Sequence, residues 1–234
     1  LRGQLPDFSK LAQGDVKDIF RGVDAGPMLI EWFKSAEGEE AIWYAKVLRS
    51  TEQEELDDAI LERLPQVDDA TKLRMLPLLS ENAGEKVVDV FKTVIDPTKP
   101  ELMVPLAYTM KRVFSQIPSS TEAEIFHLAK LPEVKVCFTG WMRRDEPEQY
   151  TQLIDSWINS DSLSERRAGV LAVNEGKRSE YTDIVKQLLE HETDHSMLGI
   201  SIQTLPRIDP EHAVELVAPF LKHRHEGVRL SVVE

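Results

Sequence analysis

A pattern of apolar residues returns along this chain every 29–32 residues, and that period constrains the fold more than any other feature. Leu153, Ile154, Trp157 and Ile158 are matched by Ile184, Val185, Leu188 and Leu189 at an offset of 31. Leu216, Val217, Phe220 and Leu221 match again at a further offset of 32. A second column runs beside the first, through Val134-Lys135, Arg166-Arg167, Met197-Leu198 and Val228-Arg229. Self-similarity at this length marks a unit that buries its apolar face only by stacking on copies of itself. The expected fold is all-α: a right-handed α-solenoid (an alpha-alpha superhelix) of about seven helical hairpins.

The two helices of each hairpin are called A and B. The B column reads Ala41, Leu73, Leu102, Val134, Arg166, Met197 and Val228. Four residues on it reads Ala45, Pro77, Leu106, Phe138, Val170, Ser201 and Val232. Residues four apart share one helical face, so this face is expected to pack on the A helix. The A helices carry stripes such as Tyr150, Leu153, Ile154, Trp157 and Ile158, repeated as Tyr181, Ile184, Val185, Leu188 and Leu189. Thr51 with Glu54, Thr121 with Glu124, Asp145 with Glu148 and Ser162 with Glu165 have capping-box spacing. Asp209-Pro210 reads as an N-cap with proline at the first helical position. A plain helix bundle is the competing reading, but bundles have no such period. Residues 1–25 read as an extension with an extra helix over Asp15 to Val23, and the repeats fill 26–234.

Composition narrows the function classes. The formal charge of −13, from 28 Lys+Arg against 41 Asp+Glu, works against binding a phosphate backbone, so nucleic acid is not the expected partner. One cysteine, Cys137, allows no intrachain disulfide and fits a reducing, cytoplasmic setting. Neither a membrane-spanning apolar run nor a signal-peptide pattern is present in the sequence. The chain opens on Leu1 and stops at Glu234 inside an expected helix, so the natural protein is expected to continue at both ends.

Two stretches carry a family resemblance: His225-Glu226-Gly227-Val228-Arg229-Leu230-Ser231-Val232 and Ser164-Glu165-Arg166-Arg167-Ala168-Gly169-Val170-Leu171. Both resemble the B-helix signature of HEAT repeats: a polar start, a Val-Arg-like pair, then small residues. The period is similar to the short subclass known as HEAT-like repeats of phycobilisome lyases. The resemblance covers about residues 26 to 234 and implies fold more than function. Ile42 stands where the arginine is expected, and Pro77 and Pro105 are expected to interrupt B helices. A narrower likeness, over Ala41-Ile42-Trp43-Tyr44-Ala45-Lys46-Val47-Leu48, is to the HEAT region attached to bacterial ADP/ATP-translocase-like proteins. It implies a soluble cytoplasmic module of a membrane protein.

His191-Glu192-Thr193-Asp194-His195 matches the H-E-x-x-H pattern, which binds zinc when it forms one continuous helix. The repeat alignment instead puts it at the turn between an A and a B helix, with Thr193 or Asp194 as the next N-cap. The turn one repeat later holds His223 and His225, so His191, His195, His223 and His225 remain weak metal candidates on adjacent turns. No metal or other cofactor is expected. Cys137, between Val136 and Phe138, reads as a small core residue.

Basic residues recur near the ends of B helices: Lys111-Arg112, Arg143-Arg144, Lys177-Arg178 and Arg207. Cations there complement the helix macrodipole, and alternatively form a basic edge for an acidic partner. Aromatic residues and arginine are enriched at binding hot spots. Tyr44, Tyr108 and Trp141, with Arg112, Arg144 and Arg207, are the residues expected to meet a partner on a concave face or basic edge. With no catalytic constellation, the leading expectation is a non-enzymatic scaffold or regulatory module for a protein or peptide. The alternatives are a HEAT-like enzyme, of the DNA-alkylation glycosylase or bilin-lyase type, and the translocase-attached module.

Overall fold

A computed structural model describes residues 26–94, 96 and 98–233. The extension over 1–25, with its expected helix, lies outside the described residues. Among the described residues the chain is all-helical, with no strand. It divides into two compact units, between Ile117 and Pro118.

The first unit holds α1 (Gly26–Ser35), α2 (Gly38–Ser50), α3 (Leu56–Arg63), α4 (Asp69–Met75), α5 (Lys86–Val94) and α6 (Pro100–Val113). Its A helices α1, α3 and α5 pack in succession, and so do its B helices α2, α4 and α6. The second unit holds α7 (Ser119–Leu128), α8 (Pro132–Cys137), α9 (Gly140–Asp145), α10 (Pro147–Ile158), α11 (Leu163–Gly176), α12 (Thr182–His191), α13 (His195–Ile208), α14 (Ala213–Val217) and α15 (Glu226–Val233). There α8, α11, α13 and α15 form an unbroken row of B helices, while α10 packs on α11 and α12 on α13.

The B helices begin at Gly38, Asp69, Pro100, Pro132, Leu163, His195 and Glu226, always 31 or 32 residues apart. That spacing is tighter than the apolar column implied, and it corrects three members, the first being Ala41, the fourth residue of α2. The third helical position is buried at Thr71, Leu102, Val134, Met197 and Val228. Leu73 and Arg166, aligned there by sequence, lie two and one residues further on and are half-buried. In its true register Arg166 matches Arg229. Arg166 Nη1 donates to the carbonyls of Ser160 and Asp161 at 3.1 and 3.0 Å, and Arg229 Nη1 to those of His223 and Arg224 at 2.8 and 3.1 Å. Each arginine closes the turn that precedes its own helix.

The B helix of the fourth hairpin is broken into α8 and α9 at Phe138-Thr139, where the Thr139 hydroxyl donates to Val136 O at 2.9 Å. Pro77 falls in a 3₁₀ turn that ends α4, whereas α6 runs on through Pro105 and α13 through Pro206. Of the expected capping positions, Thr51 is the C-cap of α2, Ser162 is an N-cap without a side-chain bond, and Asp209 is the C-cap of α13. Asp68 and Asp194 are the aspartates that cap, accepting from Thr71 N and from Ser196 N and Met197 N.

Helices α10 and α11 approach closely because position 169 is glycine: a Cβ there would stand 2.8 Å from Ile158 N. Across the same contact Tyr150, buried, donates its hydroxyl to Ala172 O at 2.6 Å. Cys137 is buried, with its thiol 3.6 Å from Glu133 O, as a core residue should be. In the A stripe of α12, Val185 and Leu189 are buried while Ile184 and Leu188 are half-buried.

Two stability outcomes follow from this packing. Gly169→Ala should destabilise the second unit by about 1–3 kcal/mol, since backbone atoms of Ile158 cannot step aside as a side chain would. Leu205→Ala should cost roughly 2–5 kcal/mol, and Leu188→Ala clearly less. Urea unfolding followed by circular dichroism measures both, and equal losses at 188 and 205 would show that the A stripe is deeper than described.

Candidate functional site

Most of the expected contact residues are occupied by the fold. In the first unit Tyr44 is buried, its ring 6.0 Å from that of Trp32 and 5.2 Å from that of Trp43, so it packs and offers no surface. Tyr108 is exposed one helical turn before Arg112 on α6. The Arg112 guanidinium is spent on carbonyls, 3.0 Å from Leu79 O and 3.2 Å from Leu76 O, at the end of the preceding B helix. In the second unit Trp141 lies edge-on to Phe126, and its indole N–H is buried without an acceptor. Arg144 pairs with the buried carboxylate of Glu122 at 2.8 Å and with Ser119 Oγ at 2.9 Å. Arg143 caps Glu175 O, in the last turn of α11.

Arg207, exposed on the last turn of α13, is different. It lines a cavity of about 420 Å³ with Asn174, Ile202, Pro206, Val217 and Val232. A second cavity, of about 500 Å³, adjoins it, and the two share Gln203 and Ser231. The second is built where the first turns of α11, α13 and α15 meet, from Arg167, Asp194, His195, Ser196, His225 and Gly227 among others. Together they form a groove across α13 and α15.

The histidine-rich turns converge here. Helix α12 ends at His191 and α13 begins at His195, with extended backbone at Glu192 and Asp194, so H-E-x-x-H is not one helix. His191 points away, exposed beside Glu190. His195 instead stacks on His225, with ring centroids 4.0 Å apart at 18°, and meets His223 edge-on at 5.6 Å. Face-to-face stacking aims the ring nitrogens outward in parallel planes rather than at one point. Among the described residues no group of three metal-ligating side chains is arranged to hold an ion.

Electrostatics of the cluster run in opposite directions. Asp194 Oδ1 accepts from Met197 N at 2.9 Å, Ser196 N at 3.1 Å and Ser196 Oγ at 2.5 Å, with Arg167 Nη2 at 3.3 Å. These donors, the Ser196 hydroxyl foremost, bring its pKa down to about 2. His195 is lowered from its ordinary value by desolvation, then by His225, His223 and Arg224. Arg167 lies half-buried, and its Nε is buried without an acceptor. Sequence reasoning placed the two histidine turns side by side but missed Arg167, Ser196, Gln203 and Ser231. The basic pair at 166-167 was the available signal, hidden by its use as a repeat marker.

Comparison with family models, with curated proteins and with solved structures returned no match. Assignment therefore rests on the groove itself.

The pH behaviour of the cluster follows by sign. Asp194 is depressed in the folded state, so its contribution is complete above about pH 4 and is lost as pH falls toward about 2. His195 is also depressed, but protonation is what folding opposes, so stability declines as pH falls below about 6.5. The thermal midpoint of the second unit should be lower at about pH 5 than at about pH 7.5, and His195→Gln should flatten that segment. An unchanged slope in His195→Gln would assign the decline to other groups.

Proposed function

We propose that each unit is a stretch of α-solenoid built from HEAT-like hairpins, and that the protein is a non-enzymatic scaffold or regulatory module. Its working surface is the groove on α13 and α15, which takes an extended segment of a partner protein. The observation that carries this reading is the pair of adjoining cavities, about 420 and 500 Å³, sharing Gln203 and Ser231. Rows of packed helices present long surfaces of this kind for binding. The groove has apolar walls at Ile202, Val217 and Val232 and a cation at Arg207, the mix that fixes a peptide by burial and orients it by charge.

No helix among the described residues is long and apolar enough to cross a membrane. The formal charge of −13 and the engagement of Arg112, Arg143 and Arg144 within the fold work against nucleic acid and favour a protein or peptide partner.

A photo-crosslinking side chain at exposed position 203, shared by both cavities, tests the reading, with one at exposed position 108 as control. A partner captured at 203 and lost when Arg207→Glu is added supports it. Equal capture at 203 and 108, or capture at 203 indifferent to Arg207→Glu, rejects the groove as the working surface.

A further inference from the structure

The half of the groove nearest the histidines differs chemically from the half around Arg207. Its wall carries the Arg167 guanidinium, the stacked imidazoles of His195 and His225, and the hydroxyls of Ser196 and Ser231. His223 and Arg224 flank the stack from the turn before α15. The one carboxylate in the lining, Asp194, is committed to the α13 N-terminus through three donors from Ser196 and Met197. Arg229 is turned to the carbonyls of His223 and Arg224, and Glu192 Oε1 to the backbone of Thr193 and Asp194, so neither faces into the cavity.

Two features mark this cluster as short of negative charge. The Arg167–Asp194 contact is long, at 3.3 Å, the same Nη2 donating also to Ser196 Oγ, and the guanidinium Nε is buried with no acceptor. A fully paired arginine forms two short parallel bonds to one carboxylate, and this one does not. The imidazoles meet face to face at 4.0 Å, with another imidazole and Arg224 beside them, so protonation of His195 is opposed by its neighbours. An anion seated among them would convert that repulsion into attraction. The cavity opens on the first turns of α13 and α15, whose partial positive charge adds to the same preference.

We propose that this cavity binds a phosphomonoester, held by the Arg167 guanidinium, the His195 and His225 imidazoles and the hydroxyls of Ser196 and Ser231. A phosphate group brings three acceptor oxygens and a near-dianionic charge to this set of donors. The hydroxyls of Ser196 and Ser231 now donate to Asp194 Oδ1 and Gly227 O, and each can rotate to a phosphate oxygen. The inference deepens the peptide-binding reading, since it makes the partner a phosphorylated segment. The anion site itself is testable with free ions, so either idea can fail alone.

Binding is coupled to protons. A bound anion favours the protonated form of His195, so affinity must rise as pH falls through the histidine range. The phosphomonoester itself begins to lose charge near its second pKa of about 6, so sulfate serves as a dianion of constant charge.

The experiment follows the imidazole Cε1–H signals of His195 and His225 by NMR, assigned with His195→Gln and His225→Gln. Inorganic phosphate, O-phosphoserine and sulfate are titrated at fixed ionic strength, at about pH 8 and about pH 6. The expected result is a saturable shift of both signals, with a dissociation constant on the order of 1 mM or below for phosphate. Sulfate should bind more tightly at the lower pH. O-phosphoserine binding above inorganic phosphate assigns the group to a protein ligand, and the reverse order to a free ion. Arg167→Gln should weaken binding about tenfold, the loss of one charge-assisted contact. His225→Gln, exposed and outside α15, keeps the test valid should Arg167→Gln disturb the fold; it should weaken binding at both pH values, and His195→Gln should reduce the pH dependence. No saturable shift at either pH, or equal binding in His225→Gln and the unaltered protein at both, overturns the proposal.

Discussion

The structure depends on how the carbonyls at helix C-termini are satisfied. Every helix leaves its last four C=O groups without partners, and a stack of short helices multiplies that problem. This chain answers with arginines from a neighbouring hairpin. Arg63, buried, donates to Phe33 O and Lys34 O at 2.8 and 2.7 Å, closing the end of α1. Arg49 reaches Leu78 O at 2.8 Å, Arg112 reaches Leu76 O and Leu79 O, and Arg143 reaches Glu175 O. A buried unpaired carbonyl costs about 1–3 kcal/mol, so these bonds hold the register between hairpins as well as adding stability. Asp57 completes the set in the first unit: it is buried and takes Arg49 Nη2 at 2.5 Å and Ser80 N at 2.9 Å.

This use of arginine also decides which cations are left without a role in the fold. Cations near the ends of B helices read from sequence as a possible basic edge, but Arg112 and Arg143 are bonded to carbonyls of the fold and Arg144 to the Glu122 carboxylate. The groove on α13 and α15 remains because Arg207 has a cavity before it, and because the histidine turns fold onto α11. Packing, rather than net charge, sets which positive groups are available.

Much of the fold was legible in the sequence. The period placed the helices, the burial of Val185 and Leu189, and the interruption of H-E-x-x-H at an N-cap, because apolar spacing and capping chemistry are local. Register was less legible. Thr71 fills a core position that propensity would give to Leu73, and its hydroxyl is satisfied locally by Asp68 at 2.7 Å. Capping boxes misled, since S/T-x-x-E spacing also arises where a helix ends, as at Thr51. The break at Phe138-Thr139 has no proline to announce it. Of the candidate site, the histidine neighbourhood followed from repeat arithmetic, whereas Arg167 did not. Its role depends on a side chain crossing from one hairpin to the next.

Those crossings have a consequence for how such a chain can change its length. A single residue inserted into a hairpin turns the rest of its helix by about 100° and moves it about 1.5 Å along the axis. The guanidinium would leave its carbonyl, and the buried third position would face solvent. Whole hairpins of 31 or 32 residues can be gained or lost without that shift in register, because the B helices begin at that spacing throughout. The chain is therefore quantised in length: tolerant of large edits at turn boundaries and intolerant of small ones within a helix.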